Sequence, residues 1–113
     1  MAFALTSGGK KFVYSGDAGL CPEVAELSKN ADLLLHWCYR LDTANATPEM
    51  KALTPTPSEI GAMANRVGAK ALILTHFRKY MDKQSNYNAA ERVASDAFGH
   101  KIKIAEDLQE IKI

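Results

Sequence analysis

No stretch of this sequence comes near the roughly 20 consecutive apolar residues that a membrane-crossing helix requires. The first residues, Met1-Ala2-Phe3-Ala4-Leu5, lack the charged start and apolar body of a secretory signal, so a cytoplasmic protein with no membrane partner is expected. An excess of charge of one sign is also lacking: 14 Lys and Arg against 13 Asp and Glu leave a net charge of +1. That balance, with the basic residues scattered, gives no electrostatic footprint for nucleic acid, which is therefore not an expected partner. The two cysteines, Cys21 and Cys38, form neither a CxxC pair nor a Cys/His cluster of structural-zinc type. In a reducing compartment they read as buried thiols. No internal repeat and no low-complexity segment is found.

What is present is an ordinary α/β composition. The 113 residues, 47% hydrophobic and 24% charged, suit one domain over residues 1–113 with a core of its own. Phe3 to Ser7 and Lys11 to Ser15 alternate around Gly8-Gly9, the signature of a hairpin. Pro22 at a first helical position and Glu23 in the first turn open a short helix with Val24 and Leu27 on its apolar side and Asn30 as its stop. Ala31 to His36 is a third strand. Thr56-Pro57-Ser58-Glu59 is a capping box: Thr56 is the N-cap, Pro57 the first helical residue and Glu59 the reciprocal partner. Ile60, Met63, Ala64 and Val67 follow at helical spacing, and Gly68 ends the helix.

Ala71-Leu72-Ile73-Leu74-Thr75 is a strand apolar on both faces, and it stops abruptly at His76. A third helix is expected over Asn86 to Phe98, with Ala90, Val93, Ala94 and Ala97 as its stripe, followed by strands at Lys101–Ile104 and Leu108–Ile113. Trp37 to Leu53 reads as a long loop with one helical turn near Pro48–Lys51. The order β-β-α-β-α-β-α-β-β predicts a mixed sheet with helices on one face.

Ligands of open α/β sheets gather at the carboxyl ends of strands. Two strands end there in chemistry-bearing residues, Phe12-Val13-Tyr14-Ser15-Gly16-Asp17 and Leu72-Ile73-Leu74-Thr75-His76. The expectation is that Asp17 and His76 face one site. A carboxylate and an imidazole suit zinc, manganese or iron; the alternative for Asp17 is a turn residue bonding its own backbone. His36 reads as a hydrogen-bonded histidine beside Trp37, and His100 as exposed and inert. Arg78, Lys79 and Tyr80 form a small basic patch that a phosphate-bearing substrate could use.

These segments also resemble a known family. Phe12 to Asp17 is similar to the strand and Gly-Asp turn in the second half of metallo-β-lactamase-fold hydrolases. Ala31 to His36 resembles the following strand of the ribonuclease Z-like branch, and Leu72 to Phe77 resembles the family's last metal-binding strand. The helix from Pro57 to Val67 lies between them in the family's order. The resemblance covers nearly the whole chain. It implies an α/β half of an αββα sandwich, with Asp17 as the carboxylate bridging two metal ions and His76 as a ligand of one. It further implies zinc or another divalent metal and a hydrolase whose substrate is a small molecule or a phosphodiester.

Four departures accompany the resemblance. The family's His-x-His-x-Asp-His motif is absent, as is the additional His that precedes the bridging Asp. Trp37 stands where the ribonuclease Z branch has Glu. Thr54-Pro55-Thr56 stands where that branch has His-Ser-Thr, and both changes argue against tRNA processing. The chain is therefore expected to be the C-terminal half of the fold and inactive alone, its missing half supplied separately. The alternative is a non-catalytic homodimer with Phe12, Tyr14, Leu33 and Leu35 in the interface.

Overall fold

The computed structural model describes residues 2–41, 47–49, 54–76, 84–106 and 110. Most of the expected strand Leu108–Ile113, most of the Trp37–Leu53 loop and the Arg78-Lys79-Tyr80 patch lie outside them; of the helical turn expected near Pro48–Lys51, Pro48 and Glu49 are described and are helical. A five-stranded sheet runs β1 (Phe3–Ser7), β2 (Lys10–Tyr14), β3 (Leu33–Trp37), β4 (Leu72–Thr75) and β5 (Lys103–Ile104), in that spatial order. β1 and β2 pair antiparallel, and β2 through β5 are parallel. The hairpin turns on Gly8 and Gly9, at φ 56° and 77°. Positive φ at both central residues is what a two-residue turn needs to match strand twist.

Among the described residues, α1 (Pro22–Leu27), α2 (Pro57–Val67) and α3 (Gln84–Phe98) lie in the crossovers. Because each crossover advances one strand in the same direction, right-handed connections put every helix on the same side. Burial agrees. Val13, Leu34, Leu72 and Leu74 point from the sheet into one core with Val24, Ile60, Met63, Ala64, Ala90, Ala94 and Phe98 of the helices. The α3 stripe is centred on Ala90, Ala94 and Phe98, with Val93 and Ala97 at its half-buried edges.

The α2 boundaries follow the local chemistry of the sequence. The Thr56 N–H donates to Glu59 Oε1 at 3.1 Å, the Glu59 N–H donates to Thr56 Oγ1 at 3.4 Å, and Gly68 closes the helix at φ 76°. The interior glycine of α2 has a tertiary cause. A Cβ on Gly61 would lie 2.5 Å from the Ala94 carbonyl oxygen and 3.0 Å from the Ala97 Cβ. Gly61 and the alanines of α3 thus set a close helix crossing that larger side chains would block.

The opposite face carries Phe3, Leu5, Phe12, Tyr14, Leu33, Leu35, Trp37 and Ile73, by register and alternation. None of α1, α2 and α3 covers it, and its exposure is uneven. Leu33 and Ile73 are buried, whereas Phe3 and Leu5 are 42% and 59% exposed. The uncovered apolar surface therefore belongs to the β1–β2 hairpin, and Leu33, expected in an interface, is enclosed within the chain.

Candidate functional site

β2, β3 and β4 end at one rim. The Ser15 N–H donates to the Leu35 carbonyl at 3.0 Å and the Cys38 N–H to the Thr75 carbonyl at 2.8 Å, so the parallel pairing persists to the last residues before Asp17 and His76. Gly16 then turns the chain at φ 60°, and Asp17 emerges exposed. On the far side of β3, His76 is also exposed and has φ 61°. A non-glycine residue in that region costs on the order of 1–2 kcal/mol, because Cβ crowds the following carbonyl. Backbone strain of this kind recurs at functional sites.

Trp37 ties the two ends together. Its indole Nε1–H donates to the Ala18 carbonyl at 2.6 Å, and its backbone N–H donates to Ser15 Oγ at 3.0 Å. The Ser15 hydroxyl in turn donates to the Gly16 carbonyl at 3.0 Å. The indole ring lies 5.8 Å from the His76 ring and 5.4 Å from the Tyr39 ring. One side chain thus braces the turn that presents Asp17 and packs beside the imidazole. Nothing about Trp37 as the opening residue of a loop announced this role; its place in β3, two residues after Leu35 on the open face, created it.

The electrostatics join the same groups. The Asp17 carboxyl is held below its usual range: hydrogen bonds, that of its own backbone N–H among them, lower it most, and the pull of His76 is the smallest contribution, against a small desolvation penalty. The structure therefore brings Asp17 and His76 within electrostatic reach of each other at one rim. A carboxylate with an imidazole is the right kind of donor set for zinc but short in number, since catalytic zinc uses three protein ligands and an open position. Among the described residues no group of three or more His, Cys, Asp or Glu side chains is arranged to hold a metal.

The other histidines stay apart from this pair. His36 is fully buried on the helix-side face, its Nδ1 lying 2.8 Å from the Trp37 carbonyl. A carbonyl only accepts, so Nδ1 carries the proton and Nε2 is a bare lone pair. Burial lowers the pKa of His36 from 6.5 to about 4, with the Trp37 carbonyl pulling the other way. Cys38 is enclosed in the same core, and burial pushes its thiol up to about 12, which makes it an inert thiol as expected. Cys21 is half-buried and unpaired, so neither cysteine forms a disulfide. His100 is exposed and meets the edge of Phe98, at 5.4 Å.

A singly wound α/β layer with α1, α2 and α3 on one face of a mixed sheet is the architecture of one layer pair of a metallo-β-lactamase sandwich. A family model described as "Beta-lactamase superfamily domain" matches residues 1–77, a span that contains both Asp17 and His76, and the chain belongs to that superfamily. Within it the chain is ribonuclease Z-like in fold. It is 33% identical over 108 residues to a ribonuclease Z of Methanosarcina acetivorans, covering 93% of this chain and 33% of that one. A Mycobacterium tuberculosis ribonuclease Z is 25% identical over 120 residues, covering all of this chain and 43% of its own length. Among solved structures, the metallo-beta-lactamase fold protein YhfI from Bacillus subtilis superposes with a TM-score of 0.75 at 28% identity, over 93% of this chain and 41% of that protein. Human tRNase Z, short form, superposes with a TM-score of 0.69 at 25% identity, over 99% of this chain and 38% of its own. The chain thus spans about a third to two-fifths of these relatives.

Proposed function

We propose that this chain is the C-terminal half of a metal-dependent hydrolase of the metallo-β-lactamase type. In this reading Asp17 and His76 are two ligands of zinc or another divalent ion. The remaining ligands, the His-x-His-x-Asp-His set, come from outside residues 1–113. The observation that supports it is that Asp17 and His76 stand at one rim, at the ends of two strands that flank a third, with His76 adding a small pull on the Asp17 carboxyl. A divalent ion bound there would generate a hydroxide nucleophile near neutral pH and polarise the bond to be cleaved. The chain's own residues prepare the place. Asp17 is ionised well below neutrality, and Trp37 fixes the turn that presents it and packs against the imidazole opposite.

The reaction class is hydrolysis, of a small-molecule ester, amide or thioester or of a phosphodiester. The relatives named ribonuclease Z point toward RNA. Trp37 and Thr54-Pro55-Thr56 stand where that branch carries Glu and His-Ser-Thr, and with a net charge of +1 these favour a substrate other than tRNA. The isolated chain is inactive on this reading.

Zinc titration by calorimetry, with stoichiometry from native mass spectrometry, tests it. The chain alone should bind zinc no tighter than about micromolar, and Asp17→Asn or His76→Gln should weaken that roughly tenfold or more. Adding a separately produced half that bears His-x-His-x-Asp-His should tighten binding and restore hydrolysis. Zinc binding indifferent to both substitutions would overturn the assignment.

One observation favours a second reading, self-association. Phe3 stacks edge-on with Phe12 at 6.5 Å and Tyr14 at 5.7 Å, forming an aromatic cluster on the bare face beside the exposed Leu5. Two copies could cover each other's hairpins as the two halves of the whole fold do. Sedimentation of the wild type against Phe3→Ser/Leu5→Ser decides this: a dimer lost in the double variant supports it, and a monomer in both rejects it.

A further inference from the structure

Beyond the carboxyl-rim pair, the least satisfied polar group in the described structure is the guanidinium of Arg40. The residue is only 3% exposed. Its Nε and Nη2 are enclosed and, among the described residues, neither has a hydrogen-bond partner. None of the ion pairs found among those residues involves it. Only its backbone is engaged there, its carbonyl accepting from Cys38 Sγ at 3.7 Å.

A guanidinium does not shed its proton, unlike a buried lysine or histidine, so it cannot escape the cost of burial by becoming neutral. A buried ion without a counter-ion is among the least favourable arrangements a fold can hold. Two enclosed N–H donors on the planar fork are the geometry that receives two oxygens of one carboxylate or phosphate. The position adds to the case. The Cys38 N–H is bonded to the Thr75 carbonyl, so the chain leaving β3 runs beside the residue preceding His76, and Arg40 follows two residues later. The neighbouring strand end is under-satisfied as well: His36 Nε2 is buried without a partner among the described residues.

We propose that Arg40 is an oxyanion-binding residue at the carboxyl rim, seating a phosphate or carboxylate group of a ligand next to the site that Asp17 and His76 define. The claim deepens the hydrolase reading, on which it depends only for the idea that the oxyanion belongs to a substrate. The Arg40 site itself requires no metal, so chelator-treated protein is the sample. Failure of zinc binding therefore leaves this test intact, and the reverse also holds.

Inorganic phosphate and acetate are titrated separately into the 15N-labelled chain at constant ionic strength, with chloride as the reference. The expected result is a saturable shift of the Arg40 Nε–H resonance, accompanied by a rise in melting temperature with anion concentration. The anion that binds more tightly identifies the class, phosphoryl or carboxyl. Arg40→Met should weaken binding roughly tenfold or more while remaining no less stable than wild type, because it removes an uncompensated charge. Arg40→Lys should keep only part of the affinity, since a point charge replaces the fork. An Nε–H resonance unmoved by both anions, or an equal anion response in Arg40→Met, would overturn the proposal. The resonance titration uses wild-type protein, so it stands even if the variants do not fold.

Discussion

The indole of Trp37 and the imidazole of His76 lie 5.8 Å apart and tilted by 49°, with the indole N–H bonded to the Ala18 carbonyl on the opposite side. Trp37 thereby spans the gap that β3 leaves between the two ends of the candidate site. Trp37→Phe keeps a ring but strands the Ala18 carbonyl, and should cost about 1 kcal/mol of stability. Trp37→Ala also empties the space and should cost about 3–5 kcal/mol. Chemical denaturation measures both. The His76 ring resonances should move in each variant if the indole packs as described.

His76 carries the opposite kind of cost. Its φ of 61° suits glycine, and the side chain is exposed. His76→Gly should therefore be neutral or stabilising by up to about 1 kcal/mol, whereas His76→Ala, with the same Cβ conflict, should not gain. If denaturation shows the two variants equal, strain at this position is not what distinguishes it.

Acid stability turns on His36. Its folded pKa, about 4, lies below the ordinary 6.5 because burial penalises the charged ring. Between those values the unfolded chain binds the extra proton, so stability is complete above pH 6.5 and falls as pH drops toward 4. The loss reaches about 3 kcal/mol at most. His36→Asn keeps a side-chain N–H to offer the Trp37 carbonyl and removes the titration, so its stability should vary less across that window. Urea midpoints at a series of pH values read the difference.

Gly61 sits in a helix interior, where Ala would ordinarily gain up to about 1 kcal/mol. Here the added Cβ meets the Ala94 carbonyl oxygen at 2.5 Å, a backbone atom that cannot swing away. Overpacking of this kind costs about 1–3 kcal/mol, so Gly61→Ala should destabilise despite its better helix propensity. A raised melting temperature would show that α2 and α3 can separate freely.

Thr56 makes a contrast, because its role is local. Removing the cap in Thr56→Ala should cost about 1 kcal/mol. Glu59→Ala should cost less, since it leaves the Thr56 hydroxyl bonded to the Glu59 backbone N–H. Both are measurable by thermal unfolding.

Much of the fold was legible because its signals are short-range. Gly8-Gly9, the Thr56–Glu59 box, Gly68 and the apolar runs at 33–35 and 72–74 each act within a few residues, and each does so in the structure. That Asp17 and His76 stand at strand ends on one rim followed from one rule about such ends. Trp37, Arg40 and Gly61 were not legible in the same way. A Trp after a strand, an Arg in a loop and a Gly inside a helix have no local pattern that says what lies opposite them.

By itself, then, the sequence determined the order of the described elements, the boundaries of α2 and the strand ends that bear an aspartate and a histidine. These depend on backbone sterics, capping bonds and the period of apolar residues, all of which act along the chain. Tertiary structure alone decided that an indole bridges the two strand ends, that a guanidinium is enclosed beside them, that a glycine sets the helix crossing and that the bare surface falls on the β1–β2 hairpin. Each of those depends on which atoms arrive from distant segments, and burial and pairing energies exist only once they have arrived.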